Sequence, residues 1–124
     1  MIHWLVAFAF TQIVEIPIYL RALRGRPAVA FGASALTHPI VWFVIPRVWV
    51  HLYLGLIGLS AALVIPSPLI RYVCMVLLAE TFAVGVEALY LHVFKVRRAL
   101  AWSLVANGAS VTLGLLARSL FGWP

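Results

Sequence analysis

The sequence predicts an all-α integral membrane protein: four transmembrane helices plus one re-entrant or interfacial apolar segment, with five spans as the alternative. Three observations predict it. Of 124 residues, 65% are hydrophobic and 10% charged, where a soluble domain carries about 25% charged residues. Mean hydropathy is +1.12. The apolar residues gather in stretches near the roughly 20 residues that cross about 30 Å of hydrocarbon, and the charges gather between them. So little charge leaves no aqueous surface to cover, and the length allows a single domain over 1–124.

The first stretch, residues 1–20, holds Gln12 and Glu15 and has no basic leader before its apolar run, so it reads as a retained helix rather than a cleaved signal. Arg21 to Pro27 ends it. The second, 28–45, carries Ser34, Thr37, His38 and Pro39, and Pro46-Arg47 follows. The segment 48–65 begins with Trp49, His51 and Tyr53, residues that favour the headgroup level, and is bracketed by Pro46, Pro66 and Pro68. The fourth and fifth stretches, 72–94 and 99–117, are separated by Lys95 to Arg98. Helical structure follows from the bilayer, which leaves unpaired backbone groups unsolvated.

Charge decides how many stretches cross. With 48–65 not spanning, six basic residues (Arg21, Arg24, Arg26, Lys95, Arg97, Arg98) share one side against three (Arg47, Arg71, Arg118). With it spanning, the split falls to five against four. The positive-inside rule therefore favours four spans, both termini outside and two basic loops in the cytoplasm, as in a bacterial inner membrane. The same rule accounts for the net charge of +6 without nucleic acid as a partner; the lipid bilayer is the partner implied.

The two halves echo each other. Glu15 precedes Ser34-x-x-Thr37 by 19 residues, and Glu87 precedes Asn107-x-x-Ser110 by 20. Tyr19 and Tyr90 each follow a glutamate by about one turn. Such pairs of helical hairpins suggest a two-fold internal repeat with a site at the interface of the halves.

Polar groups inside the spans are the candidate site. Counted from the cytoplasmic ends at 1.5 Å per residue, Glu15 lies about 8 Å deep, Glu87 about 10 Å, Asn107 about 12 Å and His38 about 15 Å. Glu80 lies about 21 Å deep and replaces Glu87 in this layer if five segments span. A charge at mid-bilayer costs about 2.5–3.5 kcal/mol, so the carboxylates call for a proton, a cation or an arginine. Thr37, Ser110 and Tyr19 share helix faces with these groups. Pro17 and Pro39 free the carbonyls of Ile13 and Ala35 beside Glu15 and His38. Against this stands a simpler reading in which Glu15 and Glu87 snorkel to the cytoplasmic arginines and the stripe Ser103, Asn107, Ser110 and Gly114 serves helix packing.

His38 with two glutamates and Asn107 is a conceivable divalent-metal set, but no ligand spacing supports it, and a hydrogen-bonded structural histidine is the expectation. No cofactor is implied. Cys74 is the sole cysteine and cannot form an internal disulfide. An enzyme finds little support: no Glu-Glu pair occurs, and Asn107 to Ser110 reads NGAS rather than Gly-x-Ser-Gly.

At Glu15-x-Pro17, Thr37-His38-Pro39, Glu87 and Asn107-x-x-Ser110 the chain resembles small bacterial four-helix inner-membrane proteins. The resemblance implies a four-helix fold and attaches no activity. In length, helix number and Glu15 it also looks like the small multidrug resistance transporters. Pro17, Glu80, Glu87 and the basic first loop depart from that pattern, so drug export does not carry over. The expectation is a small transport or channel-type protein handling protons or small cations through Glu15, His38, Glu87 and Asn107. The alternative is a non-catalytic membrane subunit or scaffold whose polar residues fix packing. Four helices hardly enclose a wide pore, so a homo-oligomer or a partner membrane protein is expected in either case.

Overall fold

The computed structural model describes residues 2–60, 64–65 and 67–122, and all its elements are helices. α1 spans Ile2–Ala22, α2 Pro27–Phe43, α3 Ile45–Leu59, α4 Pro68–Val93 and α5 Ala99–Phe121. Four helical rods are long and apolar enough to cross a membrane: α1, the combined Pro27–Leu59, α4 and α5.

The two basic loops close in the same way. After α1, Arg24 and Gly25 adopt positive φ (52° and 83°) and the Gly25 amide bonds back to the Leu20 carbonyl at 3.0 Å. After α4, Lys95 takes φ 61° and the Val96 amide bonds to Leu91 at 3.1 Å. In each, a left-handed residue lets an amide five positions on satisfy a terminal carbonyl. Pro27 then starts α2 at a position where its missing N–H costs nothing.

At the boundary expected at Pro46-Arg47 the helical path is interrupted by a single residue. Val44 alone separates α2 from α3 and keeps right-handed backbone (φ −99°, ψ −52°). Its amide bonds to Ile40 at 2.9 Å, and its carbonyl accepts from Val48 at 3.0 Å. Pro46 has no N–H to offer the Trp42 carbonyl, so one rung is missing from the ladder there. The resulting 33-residue run covers about 50 Å of helix path, well beyond about 30 Å of hydrocarbon. Residues 61–63 and Pro66, at the end of the 48–65 stretch and just after it, lie outside the described residues.

Four helices form a ring in the order α1, α2, α4, α5, each touching its two neighbours, while α3 lies outside against α2 and α4. A clamp ties the start of α4 to α3: the Arg71 guanidinium lies 5.6 Å from the Tyr53 ring centroid, and both side chains donate to the Ile65 carbonyl at 3.2 and 3.1 Å. The ring's interior is built from small residues, Ala30, Ala33, Ala83 and Ala106 among them, around Tyr19 and Leu91. Leucines such as Leu77, Leu89, Leu104 and Leu113 point outward. This is the reverse of a soluble bundle, and it suits a lipid surround in which small interfacial residues let backbones approach. At one such approach, a Cβ on Gly32 would stand 2.5 Å from the Tyr90 hydroxyl.

Candidate functional site

Glu15 and Glu87 are each 1% exposed and lie on opposite corners of the ring, one on α1 and one on α4. Both turn inward, and every hydrogen-bond partner is neutral. Glu15 accepts from Ser34 on α2 through Oε2 and from Ser110 on α5 through Oε1, the latter at 2.6 Å. Glu87 accepts from Thr37 on α2 at 2.6 Å, from the Asn107 amide on α5 at 2.7 Å, and from the Tyr19 hydroxyl on α1. Among the described residues no arginine bonds to either carboxylate, and both are buried in the ring, so neither snorkels to the cytoplasmic arginines.

The shells are reciprocal. Each carboxylate takes one bond from the next helix of its own hairpin (Ser34 for Glu15, Asn107 for Glu87) and one from the other hairpin (Ser110 and Thr37). Within α2 the Thr37 hydroxyl also lies 3.2 Å from the Ser34 carbonyl, and within α5 the Ser110 hydroxyl lies 3.0 Å from that of Asn107. A continuous polar circuit thus joins Glu15, Ser34, Thr37, Glu87, Asn107 and Ser110. The tyrosines break the correspondence. Tyr19 is fully buried and donates to Glu87, whereas Tyr90 packs on Phe94, with ring centroids 4.9 Å apart. The buried position on α4 equivalent to Tyr19, four after the glutamate, is Leu91.

Why these side chains converge follows from spacing. Glu15 and Tyr19 are four apart, as are Ser103 and Asn107; Ser34 with Thr37, and Asn107 with Ser110, are three apart, so each set lies along one helix face. Ser103 braces the circuit: its hydroxyl donates to the Val84 carbonyl at 2.9 Å, and its carbonyl accepts from the Asn107 amide at 3.0 Å. Hydroxyls both donate and accept, so Ser34, Ser110, Thr37 and Tyr19 suit either an ionised or a protonated carboxyl.

A cavity of about 420 Å³ lies against this circuit, with Glu15, Thr37, Glu87, Asn107 and Ser110 along its wall. It extends toward the end of the bundle where α1 begins and α5 ends, reaching Pro46, Tyr72 and Arg118. There the Arg118 guanidinium sits 5.9 Å from the Tyr72 ring centroid, with Nη1 3.5 Å from the hydroxyl. Glu80 is half-buried on the same wall, two turns from Glu87 and outside the hydrogen-bonded circuit.

His38 differs from expectation. It lines the cavity but stands among aromatic rings, its centroid 5.1 Å from Phe8, 5.9 Å from Trp42 and 6.2 Å from Trp4. Its buried Nε2 has no hydrogen-bond partner, so that nitrogen does not make the hydrogen bond expected of a structural histidine. Among the described residues no group of His, Cys, Asp and Glu is placed to hold a metal ion, and the His38–glutamate metal set is not assembled.

Two features were less visible in sequence. Ser34 is a full member of the circuit, and the signal for it was the Glu15 spacing matched by Glu87 and Asn107. Gln12, three residues before Glu15 and so on the same helix face as Glu15 and Tyr19, is 7% exposed with neither amide atom partnered. Compared with known proteins, the chain matches no family model, no curated protein and no solved structure.

Proposed function

We propose that this chain is a small membrane transport protein that takes up and passes a proton or small cation at the Glu15–Glu87 pair. The observation that supports it is the burial of two carboxylates among neutral donors beside a cavity that reaches one end of the bundle. Two uncompensated charges there would each cost about 2.5–3.5 kcal/mol, and a bound proton or cation removes that cost. Asn107, Thr37, Ser110 and Tyr19 hold the pair in place, while Glu80 and His38 line the route.

In this reading the basic loops Arg21–Arg26 and Lys95–Arg98 face the cytoplasm of a bacterial inner membrane and both termini lie outside, as the charge distribution favours. α3 then lies at the outer interface with Trp49, His51 and Tyr53 at headgroup level, and the cavity opens outward. The two hairpins are related as a repeat, which the reciprocal shells support. Assembly with a second copy or a partner membrane protein supplies the rest of the pathway.

The test is flux into liposomes carrying a pH-sensitive dye, comparing the wild type with Glu15→Gln and Glu87→Gln. Dye response above empty vesicles in the wild type, lost in both variants, is the expected result. Identical traces in all three at the empty-vesicle level would remove the transport reading. The second reading, a scaffold whose polar circuit only locks four helices, is favoured by the fact that all four carboxylate oxygens already carry hydrogen bonds. It predicts failure of folding or assembly in the same variants and no flux in the wild type.

A further inference from the structure

We infer that the cavity binds a small organic ammonium, a protonated primary or secondary amine carrying an apolar body, with its nitrogen at the carboxylate end. This rests on Glu15 and Glu87 being a cation-handling pair and names the class of cation.

Size comes first. A proton needs no cavity and a bare metal ion needs a few ångströms of one, whereas about 420 Å³ falls within the roughly 300–1,000 Å³ of small-molecule pockets. Lining comes second. Beyond the carboxylate layer the walls are mostly apolar, with Val41, Trp42, Met75, Val76, Val111 and Leu115 among them. Water filling such a space would find few of the two to four polar partners that buried water requires, and a hydrated inorganic ion would fare no better. An apolar body would bury those walls. An apolar pocket with a few convergent polar groups is the usual form of a ligand site.

Charge sets the sign. Three carboxylates, Glu15, Glu80 and Glu87, border the cavity, and the one cation among its lining residues, Arg118, is at the far end and engaged with Tyr72. Ionised carboxylates exclude an anion at that end, and an ammonium is the organic ligand that lets the pair ionise without leaving its charge uncompensated. His38 adds the specific element. It is 8% exposed, follows Thr37 directly, lines the cavity, and leaves Nε2 without a partner. An imidazole carrying its proton on Nδ1 accepts at Nε2; that atom is closed off beside Trp4, Phe8 and Trp42, so a turn of the ring toward the cavity is what brings it to an ammonium N–H, a contact that a quaternary nitrogen does not make. The ring faces of His38 and Trp42 beside it offer cation–π contact as well.

Binding is measured on the whole purified protein in detergent by calorimetry and tryptophan fluorescence, with Trp42 as the reporter in the wall. The probes are benzylammonium, benzyltrimethylammonium (no N–H), benzyl alcohol (no charge) and benzenesulfonate (opposite charge). Benzylammonium is expected to bind saturably and the alcohol and sulfonate not at all. Ala79→Leu and Val111→Phe, which fill the space, weaken it about tenfold or more, equivalent to about 1.4 kcal/mol. His38→Leu weakens benzylammonium and leaves benzyltrimethylammonium unchanged, a signature that a folding defect does not produce. Absence of saturable benzylammonium binding, or equal binding of benzyl alcohol, overturns the inference. Liposome proton flux separates it from the transport reading. Flux dependent on Glu15 and Glu87 without amine binding sinks this inference alone, and amine binding without any flux sinks transport while the ligand site stands.

Discussion

The bond between Asn107 and Glu87 is where the polar circuit is most directly tested, because one amide completes the shell of one carboxylate. Asn107→Ala removes a 2.7 Å donor from Glu87 Oε2 and leaves that oxygen with Tyr19 alone. A hydrogen bond to a charged group contributes about 1.5–3 kcal/mol, whereas neutral interhelical bonds in membranes average about 0.6 kcal/mol. A double-mutant cycle of Asn107→Ala with Glu87→Ala isolates the pair. Reversible unfolding in mixed micelles titrated with SDS, followed by circular dichroism, is the assay. The expected coupling is at least about 1 kcal/mol, above the neutral average because one partner is a carboxylate. The matching cycle with Glu15→Ala should couple by no more than about 0.5 kcal/mol, since the Asn107 amide donates to Glu87, Tyr19 and Ser103 rather than to Glu15. A coupling near zero for the Glu87 pair, or equal coupling in the two cycles, would refute the circuit as drawn.

Other outcomes follow from the same geometry. Thr37→Val and Ser110→Ala each delete a 2.6 Å bond to a different carboxylate; similar losses of about 1.5–3 kcal/mol are expected in the same titration, and a large asymmetry would argue against reciprocal shells. Gly32→Ala drives a methyl to 2.5 Å from the Tyr90 hydroxyl and should cost about 1–3 kcal/mol, while Gly108→Ala meets open space and should change stability by less than about 0.5 kcal/mol. Ala106→Leu, at a fully buried position, should destabilise by about 1–3 kcal/mol, whereas Leu113→Ala on the outer face should stay within about 0.5 kcal/mol. Arg97→Cys and Arg118→Cys, at opposite ends of the bundle, should react with an impermeant maleimide from opposite sides of sealed vesicles; labelling from one side would defeat the four-span topology.

What the sequence made legible was set by strong, local signals. Apolar length and basic loops located the four rods, because a bilayer imposes both. Helical rise counted from the basic loops placed Glu15, Glu87 and Asn107 in one layer, and the acid-to-polar spacings of 19 and 20 residues paired Glu15 with Ser34 and Glu87 with Asn107. Illegible were features decided by packing between distant parts of the chain. Depth along a helix placed His38 level with the glutamates, but its rotation turned it toward Trp4, Phe8 and Trp42 instead. Tyr19 and Tyr90 looked equivalent, yet a one-residue offset on a helix is about a quarter-turn, enough to send one into the circuit and the other against Gly32. Pro46 read as a stop, because an interior proline usually breaks or kinks a helix, but here Val44 held helical backbone across the gap.

The exchange of donors between the two hairpins has a consequence for how the chain must be made. A gene cut at the connection before Pro68 would yield two fragments, with Glu15 missing one of its two donors and Glu87 two of its three. Neither piece should persist alone in lipid, since each would be left with an acid lacking the hydroxyl that only its counterpart supplies. Produced together, they should find each other without a covalent tether, and the recovered complex would contain the fragments in equal number.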